Sequence, residues 1–420
     1  MILAGILFVV TYLLLLVLPK HRAAVALLGA AAFVVSGALP PVEALHAVDW
    51  NVLLMIAGTM GLVSLFAASG MPMRLADELL HRTSGVRTAV VALALFAGLV
   101  SAMIDNVATV LMIAPVALAV ARQLKISPVP VLIAVSVSSN LQGAATLVGD
   151  TTSILLGSAA GMDFTDFFVY QGHPGIFWVV EIGALASALV LLVLFRKEKG
   201  RIESNLFTNV SDYFPTVLLL LMIALLASAS FLPSKPALTN GLICFSLFVV
   251  GAVRAVFLEG KSAFKTSLLA IDLNTLEMLF GVFVIVGGVE QSGLLAEISN
   301  KLVFGGGGNL LLIYSLVVWG SVILSAFIDN IPYVAAMLPV TAGVSAALGI
   351  EPTLLYFGLL IGATLGGNLT PVGASANIAA IGFLRREGYS VSNRDFLRIG
   401  IPFTLSAVCT GYLLIWLIWA

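Results

Sequence analysis

Apolar runs of about membrane-crossing length, separated by short polar or charged stretches, recur along the whole of this sequence. A hydrocarbon core about 30 Å thick needs roughly 20 apolar residues per helix. The pattern therefore predicts crossings at 2–18, 23–40, 50–70, 174–195, 214–232, 237–253, 273–289 and 399–419. Four longer stretches do not fit one plain span: 88–121 and 128–160 in the first half, 309–348 and 353–384 in the second. Asp105 and Asn106 sit in the middle of the first, which suits a re-entrant hairpin of two helical arms meeting at a polar tip. Gly143, Thr146, Gly149 and Asp150 interrupt 128–160, which suits one crossing whose helix breaks in mid-membrane. Broken backbone is tolerated there only where protein or a water-filled cavity satisfies its hydrogen bonds.

Composition agrees: 60% of the 420 residues are hydrophobic and 10% charged, against about half and a quarter in soluble domains. A net charge of -1 gives no basic excess for nucleic acid. Cys244 and Cys409 lie in separate apolar runs, so neither a disulfide framework nor a zinc site is indicated. Residues 2–18 lack a charged leader and a small-residue cleavage site, and are read as a retained helix. With each hairpin returning to its own side and each broken helix crossing once, eighteen of the twenty Lys and Arg fall on one face, leaving Lys235 and Lys301 on the other. Positive charge collects in cytoplasmic loops, so the model has ten crossings with both termini outside, in an inner (plasma) membrane.

An internal repeat organises these elements. Ser101-Ala-Met-Ile-Asp105-Asn106 recurs 224 positions later as Ser325-Ala-Phe-Ile-Asp329-Asn330, and the same offset carries Pro115, Gly143, Thr146 and Gly149 onto Pro339, Gly367, Thr370 and Gly373. Each half holds five crossings, an odd number, so the second copy enters the membrane upside down. The expected architecture is an all-α polytopic membrane protein of two inverted repeats, 1–195 and 214–420, joined by a cytoplasmic linker at 196–213. About ten transmembrane helices, two re-entrant hairpins and two broken helices make it up. Inverted repeats with paired discontinuous helices are a hallmark of secondary transporters, which bind cargo near the midplane.

The chemistry should gather at the interruptions. A carboxylate within an apolar span costs about 2.5–3.5 kcal/mol on insertion scales, so Asp105 and Asp329 need a compensating partner such as Na+, H+ or a cationic substrate. Asn106 and Asn330 add neutral oxygens suited to a hard cation, making these four residues the candidate Na+ ligands. The alternative is that each aspartate only caps the second hairpin arm, worth about 1 kcal/mol. Thr146, Gly149, Asp150, Thr151 and Ser153 in one broken helix, and Asn368, Thr370, Gly373, Ser375 and Asn377 in the other, supply freed carbonyls and hydroxyl or amide oxygens facing the tips. Asn140 and Gln142 join them as candidate cavity residues. Asp150 corresponds to Ala374, so the first half has an extra acid and the expected tighter cation or proton site. Glu181 reads equally as a proton relay or a packing contact. The glycine run 305–308 has no following Lys-Ser/Thr, so ATP drive is unsupported.

These motifs resemble the ion transporter superfamily, in particular its arsenite permease/NhaD-type branch, with the melanosomal P protein as another similar member. The resemblance rests on the Asp-Asn tips, the Gly149-Asp150 turn, and Gly366-Gly367-Asn368 followed by Gly373-Ala374-Ser375-Ala376-Asn377. It implies a homodimer with a static scaffold and a moving transport domain. Dicarboxylate and citrate carriers of the superfamily have Ser-Asn-Thr at the matching tips, where this chain has Asp105-Asn106-Val107 and Asp329-Asn330-Ile331. A fixed carboxylate repels a polyanionic cargo. The leading expectation is thus an ion-coupled (Na+ or H+) secondary transporter of a small inorganic solute or cation, with no cofactor, no ATP and no nucleic acid. A sodium-coupled citrate or dicarboxylate carrier is the alternative within the class, and an intramembrane aspartyl enzyme or a channel the alternatives outside it.

Overall fold

A computed structural model of the chain describes residues 1–83, 85–123, 126–198, 208–260 and 268–420. Residues 199–207 of the expected linker, with Arg201 and Glu203, lie outside the described residues, as do Lys125, Lys261 and Lys265 of the charge count. Nearly everything described is helix, apart from a two-stranded turn pairing Val169–Tyr170 with His173–Pro174. Seven described helices are long and apolar enough to span a bilayer, and two bent pairs, Ile2–Val17 with Pro19–Val35 (109°) and Leu294–Gly305 with Leu310–Ser325 (117°), bring the number to nine.

Local signals fix the element ends. Asp49 caps Trp50–Ala68 by accepting from Val52 N at 3.0 Å, and Asp272, 223 positions on, caps Leu273–Gln291 through Thr275. Both hairpin stretches divide into two helices at their Asp-Asn, Val86–Ser101 then Asn106–Gln123 and Leu310–Ser325 then Asn330–Leu348, and the second helix of each is long and apolar enough to cross a bilayer. Both broken crossings break as expected. Pro128–Gln142 runs into a short 3-10 turn, turns extended at Thr146 (φ -132°, ψ 164°), and restarts as Thr151–Ala160. Thr353–Gly366 does the same through Thr370 (φ -129°, ψ 158°) before Ser375–Arg386.

Two elements were not expected. Met71–His81 and Leu294–Gly305 are short helices, each entered through a left-handed glycine, Gly70 (φ 76°) and Gly293 (φ 74°). The second crossing is also shorter than read: it ends at Val35, because Gly37 turns left-handed and Pro40-Pro41 start a separate helix, Pro41–His46.

The halves interlock reciprocally. Trp50–Ala68 packs on Thr239–Glu259 while Leu273–Gln291 packs on Arg22–Val35, and the final helices Ile176–Leu194 and Asn393–Trp419 pack on each other. A two-fold relation between repeats requires this exchange. Glycines permit it: a Cβ on Gly58 would lie 2.4 Å from the Cys244 backbone, and one on Gly281, 223 positions later, 2.5 Å from the Ala26 backbone. Close backbone approach at small residues is how membrane helices gain packing contacts when lipid supplies no hydrophobic drive. The restarted half-helices cross over as well, Thr151–Ala160 onto Asn330–Leu348 and Ser375–Arg386 onto Asn106–Gln123. Each hairpin tip therefore meets residues of both repeats.

Candidate functional site

Each tip is built the same way. Asp105 accepts from Ala108 N at 3.0 Å, and Asp329 accepts from Ile331 N at 3.1 Å, so each caps the arm that follows. The expected capping role is real in both, and leaves the second carboxylate oxygen for other work. Each break is clamped to its tip by a threonine: Thr146 donates to the Ala102 carbonyl and Thr370 to the Ala326 carbonyl. Gly149 and Gly373 then let the extended segment lie against tip carbonyls where a side chain has no room.

These clamps bring Asp105, Asn106, Asp150, Thr151, Asn330 and Ser375 around one cavity of about 440 Å³. Asp150 is 5% exposed, and one of its oxygens accepts from Thr152 at 3.0 Å. Ser64 of Trp50–Ala68, and Asp272 and Thr275 at the start of Leu273–Gln291, reach the same cavity. Among the described residues, no Lys, Arg or His lines it. The buried Asp150 and half-buried Asp105, with amide and hydroxyl oxygens around them, make it receptive to a hard cation or a proton.

Asp329 is placed differently. It lies in a neighbouring cavity of about 430 Å³ with Lys20, His21, Arg22, Glu277 and Ser375, and its outer oxygen forms an ion pair with Arg22. Asp105 and Asp329 therefore line different cavities. Asp272 and Thr275 stand at the junction of the two spaces.

The remaining predicted residues brace the framework. Asn368 and Asn377, expected to bind cargo, are fully buried and line neither cavity. Asn106 donates to Asn140 at 3.0 Å, Asn140 to Asn368 at 3.1 Å and to the Thr364 carbonyl at 2.8 Å, and Asn368 to the Val137 carbonyl at 2.9 Å. Ser136 donates to Asn377 at 2.6 Å, tying the first broken helix to the second. Thr146, Gly149, Ser153, Thr370 and Gly373 also line neither space; Ser153 donates to the Gly143 carbonyl at 3.4 Å. Gln142 donates to Ser138 at 3.3 Å. Glu181 stands apart on Ile176–Leu194, one carboxylate oxygen buried without a hydrogen-bond partner among the described residues.

At the opposite end of the broken helix lies a third cavity of about 680 Å³, bounded by Asp49, Ser158, Asp163, Lys235 and Asn240. Ser158 donates to Asp49 there, and Lys235 pairs with Asp163. Leu147 and Ile154 form its inner wall, and neither Asp105 nor Asp150 lines it.

Sequence reasoning missed Arg22, Asp272, Thr275 and Ser64. Asp272 was detectable as the twin of Asp49, an acid immediately before an apolar run. Ser64 and Thr275 carried no signal of their own.

Comparison with known proteins places the chain. Residues 12–362 match the family described as citrate transporter (CitMHS). An uncharacterized transporter of Mycobacterium tuberculosis is 31% identical over 99% of this chain and 98% of its own length. The human P protein is 26% identical over 99% of this chain and 59% of its own length. The crystal structure of the Alcanivorax borkumensis YdaH transporter superposes with a TM-score of 0.61 at 15% identity, covering 89% of this chain and 85% of that one, which shows a shared fold. The full-length relative and the family match over most of the sequence agree with the duplicated, broken-helix architecture: the chain belongs to the citrate transporter family and is a secondary transporter.

Proposed function

We propose that the protein couples the movement of a small inorganic solute or cation to Na+ or H+, with Asp105 and Asp150 holding the coupling ion and Asn106, Thr151, Asn330 and Ser375 completing its shell. The carrying observation is the cavity in which buried Asp150 and half-buried Asp105 meet with no basic residue in the wall among the described residues. The reading includes the arsenite permease/NhaD-type relationship, an inner-membrane location with both termini outside, a homodimer, and inverted repeats divided at 195 and 214. The cavities at Asp105 and Asp329 lie toward Asp272 and Lys20, and the larger Asp49–Ser158 cavity lies on the other side of Leu147 and Ile154.

One observation favours a second cargo. Lys20, His21 and Arg22 line the cavity beside Asp329, and such a wall suits a carboxylate such as citrate, the substrate named in the family's description. Flux into proteoliposomes under imposed Na+ and H+ gradients, with Na+, arsenite, silicate and citrate compared, separates the two. The expected result is gradient-dependent flux of an inorganic species that Asp105→Asn and Asp150→Asn abolish while inserting normally. Wild-type flux in both variants would reject the assignment, and citrate flux alone would install the second reading.

A further inference from the structure

The two tips share their caps, their clamping threonines and their close-packed glycines, so a strict duplication would give two equivalent cation sites. The second site is altered at two positions. Its broken helix has Ala374 where the first has Asp150, and its tip carboxylate is already paired with Arg22, contributed by the start of Arg22–Val35 in the other repeat. A buried carboxylate needs a counter-charge. A guanidinium supplies one that stays protonated at any working pH and presents a planar fork matched to a carboxylate. Among the described residues the first cavity gathers Asp105 and Asp150 with no basic residue in its wall, whereas Asp329 faces Arg22 with Lys20 and His21 alongside.

We infer that Arg22 is a built-in substitute cation: it fills at Asp329 the place that a coupling ion takes at Asp105, so that the duplicated fold carries one cation site per protomer instead of two. Arg22 is thus a determinant of coupling stoichiometry. The inference rests on the cation reading of the first cavity.

The test counts bound ions on the purified full-length protein in detergent: 22Na+ at equilibrium near pH 8, with potentiometric proton titration in parallel to register a proton site. One ion per protomer is expected in the wild type, none in Asp105→Asn, and two in Arg22→Gln, where Asp329 is left to find a mobile cation. The double variant Arg22→Gln/Asp329→Asn, neutral at both positions, should return to one. It also provides the check if Arg22→Gln alone does not fold. Two ions in the wild type, or none in the double variant, overturns the inference, as does a single ion in folded Arg22→Gln. A wild type that binds no ion by either count removes the cation reading itself, and the inference falls with it.

Discussion

Substituting Gly149 and Gly373 tests whether the breaks are pressed onto the hairpin tips. A Cβ on Gly149 would lie 2.5 Å from the Gly143 carbonyl oxygen, 2.8 Å from that of Ala102 and 2.9 Å from that of Ser101. On Gly373 the corresponding distances are 2.6, 2.8 and 2.9 Å, to Gly367, Ala326 and Ser325. Ordinary van der Waals contact needs about 3.5 Å, so three backbone oxygens must each retreat by several tenths of an ångström. None can do so by rotating a side chain. Overpacking of this kind costs about 1–3 kcal/mol, and contact with three fixed carbonyls puts both alanine variants near the upper end. With an unfolding entropy of about 2 cal/mol/K per residue, the melting temperature should fall by roughly 2–4 °C. Gly382 is the control: it lies in Ser375–Arg386 and its Cβ would meet nothing within 4 Å. Its alanine variant should be neutral or slightly stabilised, because glycine inside a helix is worth up to about 1 kcal/mol less than alanine. Thermal unfolding of detergent-solubilised protein gives the comparison. If Gly149→Ala and Gly373→Ala melt with Gly382→Ala, the breaks are not seated on the tips, and the cavity geometry derived from that seating fails.

Two further perturbations separate framework from site. Asn368→Leu removes one donated and one or two accepted hydrogen bonds from the bridge between broken helices; at about 0.6 kcal/mol per membrane hydrogen bond, up to about 1.7, it should lower stability by about 1–3 kcal/mol and leave 22Na+ affinity at the first cavity unchanged. Loss of ion binding in a folded Asn368→Leu protein would make it a ligand after all. Outside the membrane, the hydrogen bond from Arg254 holds the Asp212 carboxyl below the usual range, and the Phe214 N–H at 3.0 Å adds to it. A depressed carboxyl contributes stability that is present above its unfolded value, about 3.9, and is lost as pH falls through the lower folded one. Asp212→Asn should therefore melt below the wild type at pH 6, with the difference narrowing as pH falls below about 3.9; identical melting at pH 6 counts against the pair.

How much was legible follows from what a repeat can and cannot encode. The tips and breaks were readable because apolar length, a central Asp-Asn and spaced glycines are local patterns, and their recurrence at a fixed offset confirms each against the other. Met71–His81 and Leu294–Gly305 were not, because helices of 11 and 12 residues fall below any span-length test. The direction of Asn368 and Asn377 was not readable either. A polar residue at a break can face a cavity or the neighbouring break, and only the packing of one broken helix on the other chooses between them.

Arg22 shows the limit most sharply. In sequence it is a turn cation beside Lys20, indistinguishable from the others that set orientation, and its partner Asp329 lies 307 residues away. Nothing in the repeat signals the pairing, since the position falls outside the segment in which the two halves align. The duplication makes the fold readable by repeating it, whereas the site's character comes from where the copies differ. Ala374 against Asp150 is a difference at aligned positions and could be read directly. Arg22 opens Arg22–Val35, whose packing counterpart Thr239–Glu259 opens on Thr239-Asn240-Gly241 instead, and only the reciprocal packing of the repeats brings it to the tip. The charge of the second site is therefore a property of the interface between repeats, and each half read alone would assign it the wrong sign.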